Sequence, residues 1–199
     1  MPSVILWDVM DTLVRDPFFT HMAGFFGLSF DELLRRKHPT TWRRFELGEV
    51  DERVLFAEFF ADGTPIDGPA FKRCVRDAYA WIDGIEPLLA ELKAAGAAMY
   101  ALSNYPAWYR LIDERLQLSR YVDLRFISCE TGVRKPAPEA YLGACRALGR
   151  SPAECLFVDD RAENCQAARA VGMPALQFQG DVAGLRTSLL GLGFPDASR

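Results

Sequence analysis

Histidine is nearly absent: the 199-residue chain has two, His21 and His38. A histidine-based metal site or a Ser-His-Asp triad is therefore a poor fit, and any chemistry has to run on carboxylates, lysine and hydroxyls. The cysteines are odd in number at five (Cys74, Cys129, Cys145, Cys155 and Cys165), and no CxxC spacing occurs. They read as reduced thiols, mostly packing residues, in a cytoplasmic protein. No run approaches the ~18 apolar residues that span a bilayer, so no membrane partner is expected. The opening MPSVILWD has no basic region and no small-residue cleavage site, and no secretory signal is expected. An excess of positive charge is also missing. Lys and Arg number 23 against 27 Asp and Glu, a net charge of -4. That argues against nucleic acid held through the overall field. The short basic clusters, Arg35 to Lys37 and Arg43-Arg44, are expected on solvated helix faces.

What is present is a soluble globular composition, half apolar and a quarter charged, of a length that suits one domain or a core with a modest insertion. Val4–Trp7 is a continuous apolar run ending in Asp8, the pattern of a strand buried on both faces. Further runs of this type fall at residues 97–102, 124–128, 155–158 and 175–178. Helical patterns lie between them at residues 85–95, Pro138–Leu148 and 162–171, with Gly96, Gly149 and Gly172 as stop signals. Strands alternating with helices predict right-handed βαβ units, an α/β fold with a doubly wound, Rossmann-like parallel sheet. Residues 14–83 differ. They hold amphipathic helical patterns rich in Phe and Trp, no clear strand, and turn signals at Gly63-Thr64-Pro65 and Asp67-Gly68-Pro69. A helical insert is expected there, between core segments 1–13 and 84–199.

In an open parallel sheet, ligands bind at the carboxyl ends of the strands. Those ends carry Asp8-Val9-Met10-Asp11-Thr12, Ser103-Asn104, Arg134-Lys135-Pro136 after the third run, and Asp159-Asp160. A carboxylate can attack phosphorus and form an acyl phosphate. Phosphate and carboxylate repel each other, so a cation must hold them together. Paired acidic groups can hold Mg2+, and a lysine adds a second positive charge. A serine hydroxyl and backbone N–H groups can bind a phosphate oxygen. The structural alternatives are turn or helix capping by Asp8, Ser103-Asn104 and Asp159-Asp160, and a surface position for Lys135.

In order, these segments resemble the haloacid dehalogenase-like hydrolase superfamily, in its branch with an all-helical cap inserted after the first strand. The resemblance covers essentially the whole chain. It rests on Trp7-Asp8-Val9-Met10-Asp11-Thr12-Leu13, on Leu102-Ser103-Asn104, on GVRKPAPEAY from Gly132 to Tyr141, and on Phe157-Val158-Asp159-Asp160 with Asn164 downstream. It implies that Asp8 is the nucleophile and a metal ligand. Ser103 and Asn104 would contact the phosphoryl group, and Lys135 would neutralise it. Mg2+ would be held by Asp8, Asp160, the backbone carbonyl of Met10 and Asp159, the last directly or through water. Asn164 would hold a metal-bound water. The substrate implied is a small phosphorylated metabolite.

Met10 departs from the family pattern, in which an aspartate two residues after the nucleophile protonates the leaving alcohol and activates water. General acid–base help is worth 10²–10⁴-fold. Slow turnover is therefore expected, except with good leaving groups or through another proton donor. Asp11 takes the place of the usual glycine. Two other functions stay open: a metal-independent 2-haloacid dehalogenase, and a binding module that has lost its acid. In the cap, Phe18, Phe19, Trp42 and Phe45 are expected in the core rather than on substrate. Arg15, beside the site motif, could meet an anionic substrate, and the Phe-rich surface could form a homodimer.

Overall fold

The computed structural model describes residues 1–195; residues 196–199, at the end of the expected core segment, lie outside it. The sheet has five strands: β1 (Val4–Trp7), β2 (Ala98–Ser103), β3 (Asp123–Ile127), β4 (Cys155–Asp159) and β5 (Ala175–Gln177). Their order is β3-β2-β1-β4-β5 and every pairing is parallel. β2 starts one residue later than the apolar run suggests, because the Ala97 N–H still bonds the Leu92 carbonyl at the end of the preceding helix. It extends to Ser103, which pairs with Ile127.

Between β1 and β2 the chain forms a π turn at Phe18–Met22 and then α1 (Ala23–Phe25), α2 (Phe30–Arg36), α3 (Thr41–Glu46), α4 (Glu52–Ala57), α5 (Gly68–Ala78) and α6 (Ile85–Ala94). Beyond β2 come α7 (Tyr109–Leu116), α8 (Ser128–Thr131), α9 (Pro138–Leu148), α10 (Ala162–Ala170) and α11 (Val182–Gly191). Gly96, Gly149 and Gly172 follow their helices with positive φ, as stop signals should. Asp67-Gly68-Pro69 is a helix start rather than a free turn. The Asp67 side chain accepts from the Ala70 N–H, and Pro69 stands in the first turn of α5, where its missing N–H costs nothing.

The alternation of β1 sorts the core into two layers. Ile5 and Trp7 face one side with Leu88, Leu92, Ile112 and Leu189, from α6, α7 and α11. Val4 and Leu6 face the other with Tyr141, Ala144 and Ala168, from α9 and α10. Helices on both faces are what a parallel sheet requires to stay dry. Residues 14–83 join the first layer: Leu33, Phe45, Leu55, Phe59 and Phe71 belong to the same apolar cluster as Trp7. Trp108 is the seam. Its ring lies 5.4 Å from Phe45 and 5.8 Å from Phe71, and its Nε1 donates to Glu52 at 2.6 Å. Among the described residues, no helix is long and apolar enough to cross a membrane.

Candidate active site

The parallel register sets Trp7 beside Ala101 on one side and Val158 on the other. Residues just past those positions therefore meet at one sheet edge, next to the change of direction in strand order, where α/β sheets bind ligands. The Asp8 N–H extends the ladder to the Val158 carbonyl at 2.8 Å. The chain then coils tightly, with the Leu13 and Val14 N–H groups both donating to the Val9 carbonyl. Asp11 takes φ 52, a left-handed conformation that suits the place where the family has glycine. Thr12 ties this loop to the next strand end: its Oγ1 accepts from the Asp160 N–H at 3.0 Å and donates to Asp8 Oδ2 at 3.4 Å.

Lys135 is 1% exposed. Its Nζ donates to Asp8 Oδ1 at 2.7 Å and to Asp159 Oδ2 at 2.6 Å. A surface position for this lysine is thus excluded. Burial opposes its charge, but Asp8 and Asp159 outweigh that and hold the ammonium above its usual value. Asn104 supports it from behind. The Asn104 Oδ1 accepts from the Lys135 N–H, and its Nδ2 donates to the Lys135 carbonyl, both at 2.8 Å. The amide thus braces the lysine backbone, and Asn104 also lines the pocket that opens onto this site. Ser103 is buried and its Oγ has no partner among the described residues.

Asp159 is fully buried and well supplied with donors: Lys135 Nζ, Asn164 Nδ2 and the Arg161 N–H. One oxygen each of Asp8, Asp159 and Asp160 lies within 4.8 Å of the others. Burial pushes Asp8 up to about 7 against the pull of Lys135, and burial followed by Asp159 pushes Asp160 up to about 6. One lysine does not balance this acidic group. The buried Asn164 Oδ1 beside it also lacks a hydrogen-bond partner among the described residues. Hard oxygen donors, excess negative charge and an orphaned amide oxygen together fit a divalent cation such as Mg2+.

A pocket of about 510 Å³ opens onto these residues. Asp8, Met10, Lys135, Asp160 and Asn164 form its floor, and Asp16, Phe18, Phe19, Lys37, Trp42 and Glu46 contribute from the helical segment. Phe18, Phe19 and Trp42 therefore line the pocket instead of being confined to a cap core; Phe45 alone of that group is buried among apolar neighbours. Arg15 does not line it. Its guanidinium meets the exposed Asp83 at 3.3 Å, because the neighbouring Asp16 takes the inward position. Lys37, expected on a solvated face, turns into the pocket with Nζ 4.7 Å from the centre of the Phe18 ring. Burial lowers its affinity for a proton, with Glu46 and Asp16 opposing the effect. Arg134 pairs with Glu46 at 2.9 Å and the Ser128 hydroxyl donates to the Glu46 carbonyl at 2.5 Å, so α3 is pinned to the sheet edge. No local pattern marks Asp16, Lys37 or Glu46; they reach the site only through the way the helices fold back.

A model of the haloacid dehalogenase-like hydrolase family matches residues 3–172. Flavin mononucleotide hydrolase 1 of the Arabidopsis thaliana chloroplast is 44% identical over 176 residues, covering 88% of this chain and 72% of the relative. A sesquiterpene phosphatase of Aspergillus oryzae is 33% identical over 153 residues, covering 72% of this chain and 74% of that one. In solved structures, a family enzyme from Bacteroides thetaiotaomicron in complex with magnesium superposes with TM-score 0.76 at 18% identity, covering 93% of this chain and 98% of that chain.

Proposed function

The chain belongs to the haloacid dehalogenase-like hydrolases, and from that premise we propose a Mg2+-dependent phosphatase that cleaves organic phosphate monoesters through an aspartyl-phosphate on Asp8. A phosphatase-type hydrolase is what its named relatives are. The observation that carries the finer reading is the geometry at Asp8: a buried carboxylate bonded to the Lys135 ammonium, grouped with Asp159 and Asp160 at the floor of the pocket.

Asp8, Asp160 and the Met10 carbonyl would hold the ion, with Asp159 committed to positioning Lys135. Bound there, Mg2+ would supply the positive charge that lets a phosphate dianion approach carboxylates and that keeps Asp8 ionised. Lys135 holds one Asp8 oxygen and neutralises charge on the transferring group. The free Ser103 hydroxyl is the group that would donate to a phosphoryl oxygen. Asn104 braces the Lys135 backbone from the edge of the same pocket. Residues 14–83 serve as a cap over the core formed, among the described residues, by 1–13 and 84–195. The cap supplies an aromatic wall, Phe18, Phe19 and Trp42, for the organic part of the ester. Flavin mononucleotide, the substrate in the Arabidopsis relative's name, is the first compound to test.

The experiment is phosphate release from p-nitrophenyl phosphate and flavin mononucleotide, with Mg2+ or with EDTA, by the wild type and Asp8→Asn. Metal-dependent release lost in Asp8→Asn is expected. Halide release from 2-haloacids without metal, and no phosphate release, would replace this reading with the dehalogenase.

A further inference from the structure

The family acid–base position is occupied by Met10, which carries no proton, yet the pocket holds a carboxyl group without an assigned task. Residues 10–16 double back on themselves. Met10 bridges Val14, the Asp11 N–H donates to the Val14 carbonyl at 2.7 Å, and the Asp16 N–H donates to Asp11 Oδ1 at 2.9 Å. The turn therefore returns Asp16 to within one hydrogen bond of the residue that follows Met10. Asp16 lines the same pocket as Asp8 and Met10. Its Oδ1 accepts from the Phe18 N–H at 2.9 Å, and its Oδ2 accepts no hydrogen bond among the described residues.

We propose that Asp16 delivers the proton to the leaving oxygen and then takes one from the attacking water, the work Met10 cannot do. This rests on the phosphatase reading above. In the first half-reaction an Asp8 oxygen bonds to phosphorus, and the ester P–O bond breaks with its electron pair on the leaving oxygen. That oxygen takes the Asp16 proton and departs as the alcohol. In the second, the Asp16 carboxylate removes a proton from water as the water oxygen bonds to phosphorus. The P–O bond to Asp8 breaks, phosphate leaves, and Asp16 is again protonated.

Of the other acidic groups lining the pocket, Glu46 is held by Arg134 and by Trp42 Nε1 and Asp160 belongs to the proposed cation site, while Asp11 uses Oδ1 to hold the Asp16 N–H and so positions Asp16. The Tyr105 hydroxyl is bonded to that of Tyr79, and neither histidine lines the pocket. Titration is consistent with the assignment. Burial pushes Asp16 up to about 6 against the opposing Phe18 N–H bond, with Asp11, Glu46 and Asp160 adding to the rise. Lys37 is the cation that faces it, and Tyr79 and Tyr105 are the neutral hydroxyls. A carboxyl in that range can hold a proton for the first step and release it for the second near neutral pH.

The test measures kcat/KM, which reports transfer to Asp8, across a series of esters from p-nitrophenyl phosphate to p-methoxyphenyl phosphate and flavin mononucleotide. Asp16→Asn is isosteric and keeps the oxygen that accepts from the Phe18 N–H. It should lose about 10²-fold or more with the poor leaving groups and at most about tenfold with p-nitrophenyl phosphate. The decline of wild-type kcat/KM above about pH 6 with poor leaving groups should disappear in the variant. Adding Met10→Asp to Asp16→Asn should recover at least about tenfold with the poor leaving groups. Losses equal across the series, with the pH profile unchanged, would overturn the assignment while leaving the phosphatase reading intact. A wild type that releases no phosphate from any ester in Mg2+ would overturn both.

Discussion

Replacing Lys135 with Met, similar in length and without charge, would test the electrostatics of the site through stability alone. The ammonium is 1% exposed and sits 2.7 Å from Asp8 and 2.6 Å from Asp159. Removing one partner of a buried ion pair costs about 3–5 kcal/mol, because the carboxylates remain without their countercharge. At about 2–4 °C per kcal/mol for a domain of this size, Tm should fall by roughly 6–20 °C in EDTA. The loss should depend on pH in a definite direction. Burial already holds Asp8 at about 7 with Lys135 present, and losing the lysine raises it further. A carboxyl whose folded value lies above its unfolded one destabilises the fold at high pH, and that penalty disappears as pH falls through the folded value. The deficit against wild type should therefore be largest near pH 8 and narrower near pH 5. Urea unfolding at both pH values gives the two numbers. A loss below about 1 kcal/mol near pH 8, or one that fails to shrink on acidification, would refute the claim that Lys135 neutralises an otherwise repelling cluster.

Four other outcomes follow from the same geometry. Met10→Asp in the wild-type background should raise kcat/KM for esters with poor leaving groups by less than the roughly tenfold or more it restores in Asp16→Asn, since Asp16 already supplies acid–base help of about 10²–10⁴-fold; equal gains in both backgrounds count against the account of Met10 and Asp16. Mg2+ at about 100 times its Kd should stabilise the wild type by about 2.7 kcal/mol, seen as a rise in Tm that Asp160→Asn largely removes; equal rises in both proteins would place the ion elsewhere. Asp16→Asn should be more stable than wild type near pH 8, because burial has raised that carboxyl to about 6. The displacement is worth at most about 3 kcal/mol and, discounted for partial exposure, about 1 kcal/mol; the gain should vanish as pH falls towards 4, and a gain that persists in acid denies the electrostatic cause. Gly48→Ala forces a Cβ into a residue with φ 71 and to within 2.5 Å of the Cys129 carbonyl oxygen, where the end of α3 meets α8. A loss of about 1–3 kcal/mol in chemical denaturation is expected, and a neutral result would show that this contact has room to move.

The strands and their stop glycines were legible because burial on both faces writes a continuous apolar run and a left-handed residue after a helix favours glycine. Helices α7 and α11 leave little trace in the sequence. The first is largely polar, with Leu111 and Ile112 its buried residues, and the second contains Gly184 and Gly191, which lower helix propensity. Asp8, Ser103, Lys135 and Asp159 could be placed together because each follows or ends a strand or its loop on one sheet edge. Their partners could not. Arg15 and Asp16 are adjacent in sequence, and only the fold decides that the acid faces the pocket and the base faces Asp83. Lys37 and Glu46 enter the site because the helical segment folds back over the edge, a tertiary fact without a local signature. Asn104 has the type and place expected for phosphate contact, and only the fold shows that its amide also fits the Lys135 backbone on both sides.

The central claim is that Asp8 becomes phosphorylated during turnover. The most direct measurement mixes enzyme, Mg2+ and an ester labelled in its phosphoryl group, quenches in acid within one turnover, and maps the label by peptide. Label on the peptide containing Asp8, released by hydroxylamine and absent in Asp8→Asn, is the predicted result. Phosphate release at the wild-type rate by Asp8→Asn, or label carried on any other residue, would contradict it.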